Sequence, residues 1–93
     1  MKVHEVKTWP EYFDAQVEGD KGFEYRLNDR DYEVGDILYS CEFEPKTQIF
    51  SGLFIPYEIT YVMYSGFNLP EGMVIMSVRK RMDLTGQRPA CLE

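Results

Sequence analysis

The sequence predicts an α+β domain that is mainly β: a small mixed or closed β-barrel with one N-terminal helix packed against it. Three observations carry this. One apolar stripe at helical spacing, Trp9, Phe13 and Val17, lies near the start. At least four later segments alternate apolar and polar residues, or run apolar over strand length. No regular strand–helix alternation follows that would build a parallel sheet. At 93 residues the chain supports a single core. Residues 1–82 are therefore read as one domain and residues 83–93 as a partly flexible C-terminal tail, because the periodicity dissolves from Asp83 onward.

The elements follow in order. Residues 2–7 contain Val3 and Val6 and are read as a first strand. Thr8-Trp9-Pro10-Glu11 has the spacing of a capping box, and Pro10 suits a first helical turn, where a missing N–H leaves no gap. The stripe of Trp9, Phe13 and Val17, with Tyr12 and Gln16 beside it, is flanked by Glu11, Asp14 and Glu18, and Gly19 supplies the C-terminal cap. Phe23, Tyr25 and Leu27 then alternate with Glu24, Arg26 and Asn28, a strand expected to bury its apolar face and turn its polar face outward. Asn28-Asp29-Arg30-Asp31 and Val34-Gly35-Asp36 are turn chemistry leading into Ile37, Tyr39, Cys41 and Phe43 at period two. Ser51-Gly52 is expected to turn a small hairpin between residues 49–50 and 53–55. Residues 57–64 and 73–78 are the remaining strands, the second apolar enough to be covered on both faces.

Charge narrows the function. The net charge is −6, and residues 11–44 hold eleven acidic and three basic side chains, net −8, leaving the rest at +2. Sequence-blind nucleic-acid binding draws on phosphate neutralisation by Lys and Arg, so a broad grip on a duplex is disfavoured. The acidic stretch equally fits a module or inhibitor that engages a basic partner. No apolar run is long enough to span a bilayer and the first residues lack a signal-peptide core, so no membrane partner and a cytoplasmic location are expected. Cys41 and Cys91 are read as reduced thiols; His4 is the only histidine, so no metal site and no cofactor are expected.

The order helix, Gly19, Lys21-x-x-Glu24-x-Arg26, strand resembles the signature of the ASCH superfamily, small domains with a PUA-like barrel. Further blocks, from His4-Glu5-Val6-Lys7-Thr8-Trp9-Pro10 through Asn28-Asp29-Arg30-Asp31 and Val34-Gly35-Asp36 to Gly72-Met73-Val74-Ile75-Met76, are similar to its DUF3850 branch. The resemblance spans most of residues 3–80. It implies RNA binding by analogy with PUA domains, or hydrolysis of an N-acylated nucleoside such as N4-acetylcytidine. In the amidohydrolases of this superfamily a threonine stands where this chain has Glu24, so the expected nucleophile is replaced; Thr8, Ser40 and Thr60 are the remaining hydroxyls to weigh.

Glu24 and Arg26 share one face of a strand and Lys21 precedes it, so an ammonium, a carboxylate and a guanidinium can surround one opening. A structural ion pair is the plainer reading. As a ligand site, the cations would meet phosphate or a base carbonyl, and Glu24 would accept from an exocyclic amine or ribose hydroxyl. That chemistry suits RNA, a nucleoside or a nucleotide read at one unstacked base. His4 and Lys7 are placed on the rim. Trp9 offers a stacking surface, although its position in the helix stripe makes the core its default. Arg30 is a further contact candidate within a turn that reads first as local hydrogen bonding and salt bridging. Arg79-Lys80-Arg81 is either a solvated strand end or a phosphate-contacting edge.

Overall fold

The computed structural model describes residues 1–92; Glu93, the last residue of the expected tail, lies outside them. Strands β1 (Val3–Thr8), β2 (Phe23–Leu27), β3 (Ile37–Glu44), β4 (Ile49–Met63) and β5 (Met73–Lys80) form one sheet in the order β1-β3-β4-β5-β2. Helix α1 (Pro10–Val17) connects β1 to β2. β1 runs parallel to β3, and every other neighbouring pair is antiparallel.

β1 and β2 lie at opposite ends of that order, and a flat sheet of this size would hold them nearly 20 Å apart, given about 4.8 Å between neighbours. Yet Arg26 of β2 donates to the Lys7 carbonyl of β1 at 3.1 Å, and Arg30 donates to the Glu5 carbonyl. The sheet is therefore curled into a half-barrel whose seam is bridged by arginine side chains instead of strand pairing. This is the expected fold class, α+β and mainly β, with the helix packed on β3.

The main core, built on Val6, Phe13, Tyr32, Leu38, Ile55, Tyr57, Ile59, Val62, Val74 and Met76, fills the concave side. A second cluster on the other side of β3, Ile37, Tyr39 and Cys41, is covered by Phe50, Phe54, Leu84 and Leu92. Two 3-10 turns (Met82–Leu84 and Ala90–Leu92) thus lie at the start of and within the stretch assigned to the tail, and the Glu5 carboxylate accepts from the Ala90 and Cys91 main-chain N–H groups.

Three local expectations are corrected. No capping box forms: Trp9 is the N-cap residue without a side-chain cap bond, because the Thr8 hydroxyl is buried against Ser40 at 2.6 Å. No hairpin turns at Ser51-Gly52: β4 runs through it, and the glycine, at φ +96°, sits where four steps from Phe50 to Phe54 oppose two from Cys41 to Phe43. The turn signal was that of a bulge. Most consequentially, β2 is turned over: Phe23, Tyr25 and Leu27 face out, half exposed, while Glu24 faces in at 2% exposure. Gly19 does cap α1: at φ +84° its N–H donates to Gln16 and that of Asp20 to Ala15, the paired bonds of a Schellman motif.

Candidate functional site at the barrel seam

The reversal of β2 follows from what waits inside. α1 directs Gln16, fully buried, toward the sheet, and β1 and β3 contribute Thr8 and Ser40. An apolar strand face there would leave these groups unpaired, which costs about 1–3 kcal/mol per buried group. Glu24 and Arg26 instead close a ring of hydrogen bonds. The Ser40 hydroxyl donates to Gln16 Oε1 at 2.6 Å, and Gln16 Nε2 donates to Glu24 Oε1 at 2.5 Å. With its proton committed to Gln16, Ser40 accepts from Thr8. Arg26 completes the circuit, Nε donating to Glu24 Oε2 at 2.7 Å and Nη2 to Thr8 Oγ1 at 3.4 Å. A satisfied buried network of this kind rigidifies its members.

Lys21 approaches Glu24 Oε1 at 3.1 Å, donates to the Phe23 carbonyl at 2.7 Å, and stands 4.9 Å from the Phe23 ring centre. Both Glu24 oxygens are thereby occupied, and the carboxylate holds two cations in place. Arg26 has a different standing. Its Nε and Nη2 groups bond to Glu24, Lys7 and Thr8, whereas the two Nη1 N–H groups have no hydrogen-bond partner among the described residues.

These groups open on a depression of about 600 Å³ lined by Lys7, Thr8, Trp9, Tyr12, Lys21, Phe23, Glu24, Tyr25 and Arg26. Trp9 is corrected from core to rim: it is 49% exposed and stacks on Tyr12, ring centres 6.1 Å apart and 24° between planes. Five of the residues singled out in the sequence, Lys7, Trp9, Lys21, Glu24 and Arg26, meet here. Arg30 lines an adjoining depression of about 890 Å³ along the same seam, which shares Lys7, Tyr25 and Arg26 with the first. His4 lines neither; buried, it bonds to Asp36 at 2.9 Å and packs on Tyr32. Tyr12, Phe23 and Tyr25 were missed as rim residues, because alternation shows that two faces differ, not which one is buried. Gln16, a polar residue inside the helix stripe, was the available signal.

Arg79-Lys80-Arg81 is a strand end with its charges engaged. Arg79 and Arg81 pair with Glu58 at 3.2 and 2.9 Å, Arg81 also with Asp83 at 2.9 Å, and Lys80 donates to the Val17 carbonyl. The hydrogen bonds from Arg79 and Arg81 hold the Glu58 carboxyl below its ordinary range. No helix among the described residues is long and apolar enough to cross a membrane.

Fold and site together define a half-barrel domain with an aromatic-rimmed, cation-bearing depression at the seam between its two edge strands, β1 and β2, an arrangement consistent with PUA-like architectures. Residues 3–78 match the family described as "Domain of unknown function (DUF3850)", and the chain belongs to that family. It is also similar to an uncharacterised 12.9 kDa protein in the GpA 3′ region of Escherichia phage P2, 54% identical over 37 residues, 40% of this chain and 34% of that protein. The match thus spans about a third of the relative's length.

Proposed function

We propose that this is an ASCH/PUA-like domain that binds one unstacked base, as a nucleoside or at an RNA end, in the seam depression. The observation that carries the reading is Arg26: fixed by Glu24, Lys7 and Thr8, it lines a cavity walled by Trp9, Tyr12, Phe23 and Tyr25 while its Nη1 donors stay unused. A cationic N–H donor suits a base carbonyl or a phosphate oxygen, and the rings suit a base face. The volume falls in the range of small-ligand sites.

Hydrolysis of an acylated nucleoside would require a hydroxyl beside a base. The geometry does not favour it, because the Thr8 and Ser40 protons point along the chain toward Gln16, and Lys21 is bound to Glu24. The acidic stretch over residues 11–44, read as a protein-docking module, has no comparable feature in its support.

The test is a titration of Trp9 fluorescence, confirmed by calorimetry, with the four ribonucleosides and short single-stranded RNAs. Saturable quenching is expected, with Arg26→Ala weakening it by at least about tenfold, the worth of a charge-assisted hydrogen bond. Absence of saturable binding, or full retention in that variant, would overturn the reading.

A further inference from the structure

The face that β2 turns outward is part of a larger surface. On the convex side of the sheet, registered pairs place Phe23, Ser77 and Tyr61 in one row, Tyr25, Ile75 and Met63 in the next, and Leu27 with Met73 in a third. Beside them Phe67 is 95% exposed and Tyr61 63% exposed. The half-exposed and fully exposed rings amount to on the order of 600 Å² per chain, at the upper end of what a monomer's largest apolar patch covers, where such patches are often functional.

We infer that this convex β2-β5-β4 face pairs with a second copy of the same chain. The area argues for it, since a stable complex covers about 800 Å² on each partner and this patch alone supplies about 600 Å² of that. Charge argues for it as well. The chain carries −6, yet these rows hold no charged residue, and in the nearby registered pair of Glu58 and Arg79 the carboxylate is matched by Arg79 at 3.2 Å and by Arg81 at 2.9 Å. An acidic molecule can thus approach its copy here without facing acid on acid. A nucleic-acid strand would find no unpaired cation in the same rows.

The loop joining β4 to β5 adds a third observation. Phe67 and Asn68 are both in the left-handed region, at φ 51° and 61°, held by a bond from the Leu69 N–H to the Gly66 carbonyl. A bulky residue there is strained, and this one gains almost no burial within its own chain. Burial against a partner would offset that strain.

Neither Tyr61 nor Phe67 lines the seam depression, so they test the pairing separately from ligand binding. Sedimentation velocity from low to high micromolar concentration is expected to show conversion of the 11.0 kDa chain to a species of twice that mass. Tyr61→Glu and, separately, Phe67→Asp are expected to weaken it at least about tenfold, since each change occurs twice in a two-fold interface. Added salt is expected to strengthen the pairing, by screening two bodies of like charge. A chain that stays monomeric throughout, or a dimer indifferent to both substitutions, would overturn the inference. Because both residues are exposed, circular dichroism of the variants is expected to match the parent, so that loss of pairing is not loss of fold.

Discussion

At the scale of single residues the decisive one is Glu24, a buried carboxylate that accepts from Gln16, Lys21 and Arg26. Its role is to position the cations, and in the proposed function Arg26 is the group that meets the ligand. Glu24→Gln keeps the shape but sets an amide donor against donors already there, so it is expected to cost about 2–3 kcal/mol in chemical denaturation, the scale of hydrogen bonds to charged groups. The same variant is expected to weaken ligand binding along with Arg26→Ala. Tyr57 is the opposite case, a buried phenol whose hydroxyl has no hydrogen-bond partner among the described residues. Tyr57→Phe is expected to stabilise the fold by about 1 kcal/mol, because it removes a desolvated group that gained nothing. Burial, with a smaller contribution from the Glu24 charge, pushes this phenol up to about 12. The unfolded chain ionises first, near 10, so the stability tied to the neutral phenol is intact below about pH 10 and lost as the pH rises toward 12. A urea-denaturation series across that interval is expected to show a shallower alkaline loss in Tyr57→Phe. The convergence of Lys21, Glu24 and Arg26 was legible from the shared strand face of Glu24 and Arg26 and from Lys21 just before it. The use of Glu24 as an inner anchor was not, because its partners Gln16 and Thr8 arrive from other elements.

At the scale of elements, local signals were read correctly where the chain settles its own geometry. Gly19 is such a case, since a left-handed residue after a helix is a demand of the backbone alone. Signals that tertiary contacts can override were misread: Thr8 left its capping role for Ser40, and Ser51-Gly52 became a bulge within β4. The entry to β3 shows how such a contact stabilises an element. Asp36 accepts from the main-chain N–H groups of Lys2 and Glu33 and from His4, tying β1 to the turn before β3. Burial alone would raise this carboxyl, but the bonds from His4, Lys2 and Glu33 outweigh it and leave it below its ordinary value. A depressed carboxylate contributes stability above the unfolded value, near 3.9, and loses it as the pH falls through the lower folded value. Asp36→Asn is therefore expected to lower stability at neutral pH by about 1–3 kcal/mol and to flatten the acid limb below about pH 4, measured by thermal melts.

At the scale of the whole molecule, the mainly β class with one helix was legible because hydrophobic period decides between strand and helix segment by segment. The half-barrel seam was not, since nothing local announces that β1 and β2 approach across Arg26 and Arg30. Net charge was legible and still bears on the outcome. With −6 on the molecule and most of its arginines paired, RNA affinity is expected to fall only weakly with salt. A logarithmic slope shallower than about −1.5 corresponds to one or two phosphates, and salt titration of the fluorescence signal measures it. The most direct test of the seam as a base-binding site is a nitrogen–proton NMR titration that follows the Arg26 guanidinium and the Trp9 indole as nucleosides and short single-stranded RNAs are added. The account predicts saturable shifts of both signals together, and their loss in Arg26→Ala. Shifts confined to other parts of the molecule, with Arg26 and Trp9 unmoved at saturation, would contradict it.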